Sequence, residues 1–153
     1  MKREILAGAL LCLVACSTPD SVIESAAMQK RLSPVPVSIP KGQCALILTS
    51  RNTPTEPIFF QILGRRKAFV ALDNKLRHLT LRRANNKLDN GLWLSQELEG
   101  HRLTSSLTLY AVSPAGPQEG DEPHYRGVVS LTRPDGWSTA MPVDGRLECQ
   151  SRK

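Results

Sequence analysis

The chain has 153 residues, with 20 Lys and Arg against 14 Asp and Glu, and four Cys, a length that suits one domain. Its net charge of +6 is only moderately basic. Two Trp, two Tyr and three Phe supply too few aromatics for the two interfacial girdles of a membrane-spanning barrel.

Lys2 and Arg3 open the chain and, after Glu4, an uncharged run extends from Ile5 to Ala15. That run falls short of the roughly 20 apolar residues a membrane-spanning helix needs. A basic start, a short apolar centre and small residues before a cut are the parts of an export signal. The competing reading is a buried helix with Cys12 and Cys16 as core cysteines.

Leu13-Val14-Ala15-Cys16 resembles the lipobox of bacterial lipoproteins. The resemblance implies that residues 1–15 are a signal peptide removed by cleavage before Cys16, so that Cys12 is discarded. It also implies that Cys16 carries a diacylglyceryl group and an N-acyl chain, such as palmitate. Two or more chains are needed for a stable anchor, because one holds only reversibly. Ser17, where an aspartate would favour inner-membrane retention, implies by the same resemblance the cell outer membrane, facing the periplasm. Cleavage removes Lys2, Arg3 and Glu4 and lowers the positive balance by one charge.

Cys44 and Cys149 then remain. In an oxidising periplasm an even pair reads as a disulfide; two free buried thiols or a metal pair are the alternatives. No Cys or His stands at ligand spacing from either, which disfavours the metal.

Residues 16–41 are expected to form the lipidated N-terminus and a linker. Ser21 and Glu24 fit a capping box ahead of a short amphipathic stretch from Val22 to Leu32, and Pro34, Pro36 and Pro40 impose an extended path. This segment is either a Pro-containing stalk or a first strand lying along the domain.

Residues 42–153 are expected to form a single β domain. The runs 44–50, 58–63, 67–72, 76–83, 92–99, 103–112, 125–131, 137–143 and 146–150 read as strands, separated by turn-forming residues. "LTSSLTLY" alternates Leu103, Leu107 and Leu109 against Thr104, Ser106, Thr108 and Tyr110. Arg133-Pro134-Asp135-Gly136 and Val143-Asp144-Gly145 read as tight turns. The predicted fold is all-β, a small antiparallel sandwich or barrel of about eight strands.

No catalytic pattern emerges. His78, His101 and His124 are dispersed, Ser105-Ser106 lacks a nucleophile-elbow context, and Glu97 and Glu99 share one side of a strand as a solvated face. No cofactor is implied. The charge pattern is more informative: Arg65, Arg66, Lys67, Lys75, Arg77, Arg82, Arg83 and Lys87 meet a single acid, Asp73. A hairpin around residues 73–75 would oppose Phe69 to Leu79, Val70 to His78 and Arg66 to Arg82. Like charges directly opposite repel, so the pair needs solvent or an anion, for which an arginine fork is suited. Arg65, Arg66, His78, Arg82 and Arg83 are therefore the candidate site for an anionic envelope component or a protein partner; the compartment argues against nucleic acid. The expected function is a lipid-anchored binding or structural module and not an enzyme. The alternatives are a periplasmic inhibitor of a lysozyme- or protease-type hydrolase, and a hydrolase or ligand carrier.

Overall fold

Each run read as a strand lies in one to within a residue at its ends, in a computed structural model that describes residues 30–112 and 123–152. The strands are β1 (Cys44–Ser50), β2 (Thr53–Ile62), β3 (Lys67–Leu72), β4 (Lys75–Lys87), β5 (Trp93–Gly100), β6 (Leu103–Val112), β7 (His124–Thr132) and β8 (Ser138–Cys149). Each pairs antiparallel with the next, and β8 pairs with β1, so the sheet closes into an eight-stranded barrel. Residues 1–29, with the expected signal peptide, Cys12 and Cys16, and residues 113–122 and 153 lie outside the described residues. No helix among the described residues is long and apolar enough to cross a membrane.

A barrel of eight strands is just wide enough for side chains to fill it. Every strand contributes: Leu46 and Leu48 from β1, Phe59 from β2, Val70 from β3, Leu79 from β4, Leu98 from β5, Leu107 from β6, Val129 and Leu131 from β7, and Met141 and Val143 from β8. In β6 the expected alternation holds: Leu103, Leu107 and Leu109 are buried, whereas Thr104, Ser106, Thr108 and Tyr110 are exposed. An apolar inside with a polar outside is the inverse of a lipid-facing barrel, whose apolar band points outward.

One turn reading needs correction, and two strands run further than expected. The runs before and after Val143-Asp144-Gly145 are one continuous strand, so eight strands form where nine runs were counted. Gly145 pairs with both Leu48 and Tyr125, and a Cβ there would come within 2.8 Å of Leu48 Cδ2. It marks a close approach inside the barrel, not a bend. Pro54 and Pro57 lie within β2, beside the register irregularities between Leu48 and Ser50, where a missing N–H is tolerated. Ala84, Asn85 and Asn86 continue β4 to Lys87. The Arg133–Gly136 turn forms as expected, with Gly136 at φ 85 and its N–H donating to the Arg133 carbonyl at 3.1 Å.

The chain from Arg31 to Pro40 lies along the barrel instead of standing off it as a stalk. Arg31 starts at the β3–β4 turn, where its carbonyl accepts from the Asp73 N–H at 2.7 Å. Leu32 bridges Leu72, and the Val35 N–H donates to the Pro57 carbonyl at 2.8 Å. The segment ends at the opposite end, where the Gly42 N–H donates to the Gln150 carbonyl at 2.9 Å. The reason for this path is apolar. Ala45, Ile47, Phe60 and Ala71 point outward from β1–β3, and Val35 and Ile39 cover them, removing from water a patch that a bare barrel would expose.

Cys44 and Cys149 are directly paired residues of β1 and β8 and form a disulfide across a separation of 105 residues. In the chain-entropy model a loop of that size is stabilised by about 4–5 kcal/mol. Cys149→Ser is expected to lower unfolding free energy by about 2–5 kcal/mol, read as a shifted denaturant midpoint; an equal midpoint with and without reductant would remove that role.

The N-terminal segment is also clipped by charge. Arg31 Nε and Nη2 donate to Asp73 Oδ1 and Oδ2 at 2.9 and 2.6 Å. This bidentate bond, with the charges of Arg31, Arg133 and Arg77, holds the Asp73 carboxyl below its ordinary range. The stability this contributes is present above the ordinary carboxylate range and is lost as pH falls from there through the lowered folded-state value. Amide protection of Ser33, which bonds the Ala71 carbonyl at 3.1 Å, is therefore expected to fall on acidification. Asp73→Asn is expected to flatten that dependence in a hydrogen-exchange titration.

Candidate functional site

The β3–β4 turn has two residues, Asp73 and Asn74, both left-handed at φ 53 and 58. This is the geometry that suits the twist of a tight hairpin, and it shifts the expected register by one. Phe69 faces His78, Val70 faces Arg77, and Ala68 faces Leu79. The predicted Arg66–Arg82 opposition does not occur. Arg66 instead closes the strand end: its carbonyl accepts from the Leu81 N–H at 2.7 Å, and its Nη2 donates to the Leu81 carbonyl at 2.9 Å.

Three of the five predicted residues nevertheless converge. Arg65, Arg66 and Arg82 line a cleft of about 420 Å³ between the β2–β3 and β4–β5 turns, with Lys87, Trp93, Leu81, Ala84, Gly64 and Gly91. Four cations line it and no carboxylate does. The floor is aliphatic, and Lys87 Nζ stands 5.4 Å from the Trp93 ring centroid. Lys87 and Trp93 are paired residues of β4 and β5, held by the turn in which the Leu88 N–H donates to the Leu92 carbonyl at 2.8 Å. Gly64 and Gly91 have φ of 75 and 87 and open space where a Cβ would stand, so the turns leave the cleft unobstructed.

The other two predicted residues lie elsewhere. A register shift falls between Leu81 and Arg83, making Arg82 the extra residue of the bulge. Arg83 lies 3.8 Å from Glu97 on the exposed surface, and Arg82 donates to Glu99 at 2.9 Å from the cleft edge. Glu97 and Glu99 are thus partners of arginines. His78 sits between Phe69 and His101, at ring distances of 4.9 and 6.3 Å, away from the cleft. Ser105 is fully buried inside the barrel. Lys87 and Trp93 were not singled out as site residues in the sequence; the available signal was their position flanking the Asp89-Asn90-Gly91 turn.

The opposite end of the barrel carries a second cleft, of about 510 Å³, lined by Arg31, Arg77, Arg102 and Arg133 with Asp73 and Asp135. Here carboxylates occupy two of the arginines: Arg133 lies 2.7 Å from Asp135, and Arg31 is held by Asp73. The larger cleft is therefore the more self-neutralised, and charge singles out the smaller one. Among the described residues no three His, Cys, Asp or Glu side chains converge as metal ligands would. Set against protein-family models, curated proteins and solved structures, the chain has no match.

Proposed function

We propose that the protein is a lipid-anchored β-barrel binding module of the bacterial envelope that holds an anionic saccharide in the Arg65–Trp93 cleft. The observation that carries this reading is the cleft's composition: Arg65, Arg66, Arg82 and Lys87 around an aliphatic floor and one indole, with no lining acid. Guanidinium forks suit phosphate and carboxylate oxygens. The Trp93 ring offers a flat apolar face to a sugar ring bearing those groups. Anchoring at Cys16 rests on the lipobox resemblance, and the Cys44–Cys149 disulfide fits the oxidising compartment that anchoring implies.

The shared chemistry, an acidic group on a sugar, has two sources in that compartment: phosphates of lipopolysaccharide and carboxylates of peptidoglycan. Calorimetric titration of the acylated protein with deacylated lipopolysaccharide, its dephosphorylated form and a muropeptide separates them. Binding of the first without the second assigns phosphate, and binding of the third assigns carboxylate. Arg65→Glu and Lys87→Glu are each expected to weaken the bound probe by roughly tenfold or more, the loss of a charge-assisted hydrogen bond. Affinity no greater than for neutral dextran, or unchanged in both variants, would overturn the proposal.

A further inference from the structure

The end of the barrel at which the N-terminal segment arrives is set by contacts on both backbone and side chain. Arg31 joins the β3–β4 turn through Asp73, and Ser33 Oγ donates to Asn74 Oδ1 at 2.7 Å. The described chain therefore begins beside that turn. The cationic cleft lies at the other end, because the β2–β3 and β4–β5 turns are the opposite ends of the same hairpins. If Cys16 carries the anchor, the roughly 14 residues up to Lys30 span at most about 50 Å, a tether whose near end is Arg31; charge then selects the end that faces the membrane.

That end is chemically fitted to it. Arg77 and Arg102 line its cleft and form no ion pair among the described residues, whereas Arg31 and Arg133 already hold Asp73 and Asp135. His101 and Arg102, at φ 51 and 60, form the tight β5–β6 turn that projects Arg102. Trp137 packs against the core beneath this end, with its Nε1 buried, 5.3 Å from the Arg31 guanidinium and 5.9 Å from that of Arg133. Basic groups are drawn to an anionic leaflet within a Debye length of about 8 Å.

We infer that the barrel end built from the β3–β4, β5–β6 and β7–β8 turns seats on an anionic lipid surface, with Arg77 and Arg102 at the headgroups, Trp137 just beneath them, and the Arg65–Trp93 cleft facing away from the bilayer. The inference rests on the Cys16 anchor proposed above. It explains why two cationic ends serve one molecule: one orients it and the other is left open to a ligand.

The chain's two tryptophans report the two ends. The acylated full protein is reconstituted in vesicles of phosphatidylethanolamine and phosphatidylglycerol, or of phosphatidylcholine alone, containing a lipid with a headgroup-depth quencher. Trp93→Phe leaves the membrane-end reporter, and Trp137→Phe leaves the far-end reporter. Expected is severalfold stronger quenching of Trp137 than of Trp93 in the anionic vesicles. The difference should shrink in phosphatidylcholine and in about 1 M salt, where the Debye length is about 3 Å. Arg77→Glu with Arg102→Glu is expected to abolish the difference while the protein still floats with the vesicles. Equal quenching of both tryptophans, stronger quenching of Trp93, or indifference to the double reversal would overturn the orientation while leaving the anchor intact. Failure to float with neutral vesicles, with no acyl mass on the chain, would remove the anchor and the orientation together. A membrane end that ignores the vesicles but binds poly-glutamate in a salt-sensitive way would assign the arginines to an acidic protein and overturn lipid docking.

Discussion

The pairing of β1 with β8 is the contact on which the rest of the molecule depends. Seven consecutive residue pairs, from Cys44–Cys149 to Ser50–Val143, join the two strands most distant in sequence, and the disulfide sits at the first of them. Without that seam β1 and β8 would be edges, with unpaired N–H and C=O groups open to other chains. Closure also turns the inward faces of all eight strands onto one another, so that Leu46, Leu98 and Leu131 share a single filled interior. Long-range pairing of this kind forms against a loop-closure cost, and the covalent link reduces that cost by restricting the unfolded chain.

Up-and-down closure has a consequence for charge. In such a barrel successive turns alternate between the two ends, so a stretch that is continuous in sequence is divided in space. The basic run from Arg65 to Lys87 is split in this way. Arg65, Arg66, Arg82 and Lys87 gather at one end, while Arg77 stands at the other beside Arg31, Arg102 and Arg133. Glu97 pairs with Arg83 outside both clefts, and Glu99 holds Arg82 from the edge of the first. One sequence feature thus becomes two sites with different company: one cleft lined by no acid and one in which Asp73 and Asp135 hold half the arginines.

Much of this fold was legible in the sequence because period-two alternation reports burial directly. The Leu103–Leu107–Leu109 row and the Arg133–Gly136 turn needed no tertiary information, and the Cys44–Cys149 bond was expected from parity and the compartment that the lipobox resemblance implies. The register did not, since it turned on whether Asp73 and Asn74 would both take left-handed angles, and that choice moved every partner of β3 by one residue. Gly145 misled for a related reason. Glycine serves a turn and a close approach equally well, and only Leu48 beside it tells which. The site was half legible: arginine density pointed to Arg65, Arg66 and Arg82, but Trp93 joins them only through pairing with Lys87 across a turn. The N-terminal prolines could not tell a stalk from a strap, because the outward apolar face of β1–β3 that attracts Val35 exists only after the barrel has closed.

The most direct test of closure is amide hydrogen exchange, residue by residue, on the oxidised protein. The expected result is that Ala45 and Ile47 of β1 and Arg146 and Glu148 of β8, whose amides face one another across the seam, exchange as slowly as Leu107 and Val129 of β6 and β7, as interior strands do. Rapid exchange confined to β1 and β8, as at the two edges of an open sheet, would contradict the closed barrel and the arrangement of its two charged ends.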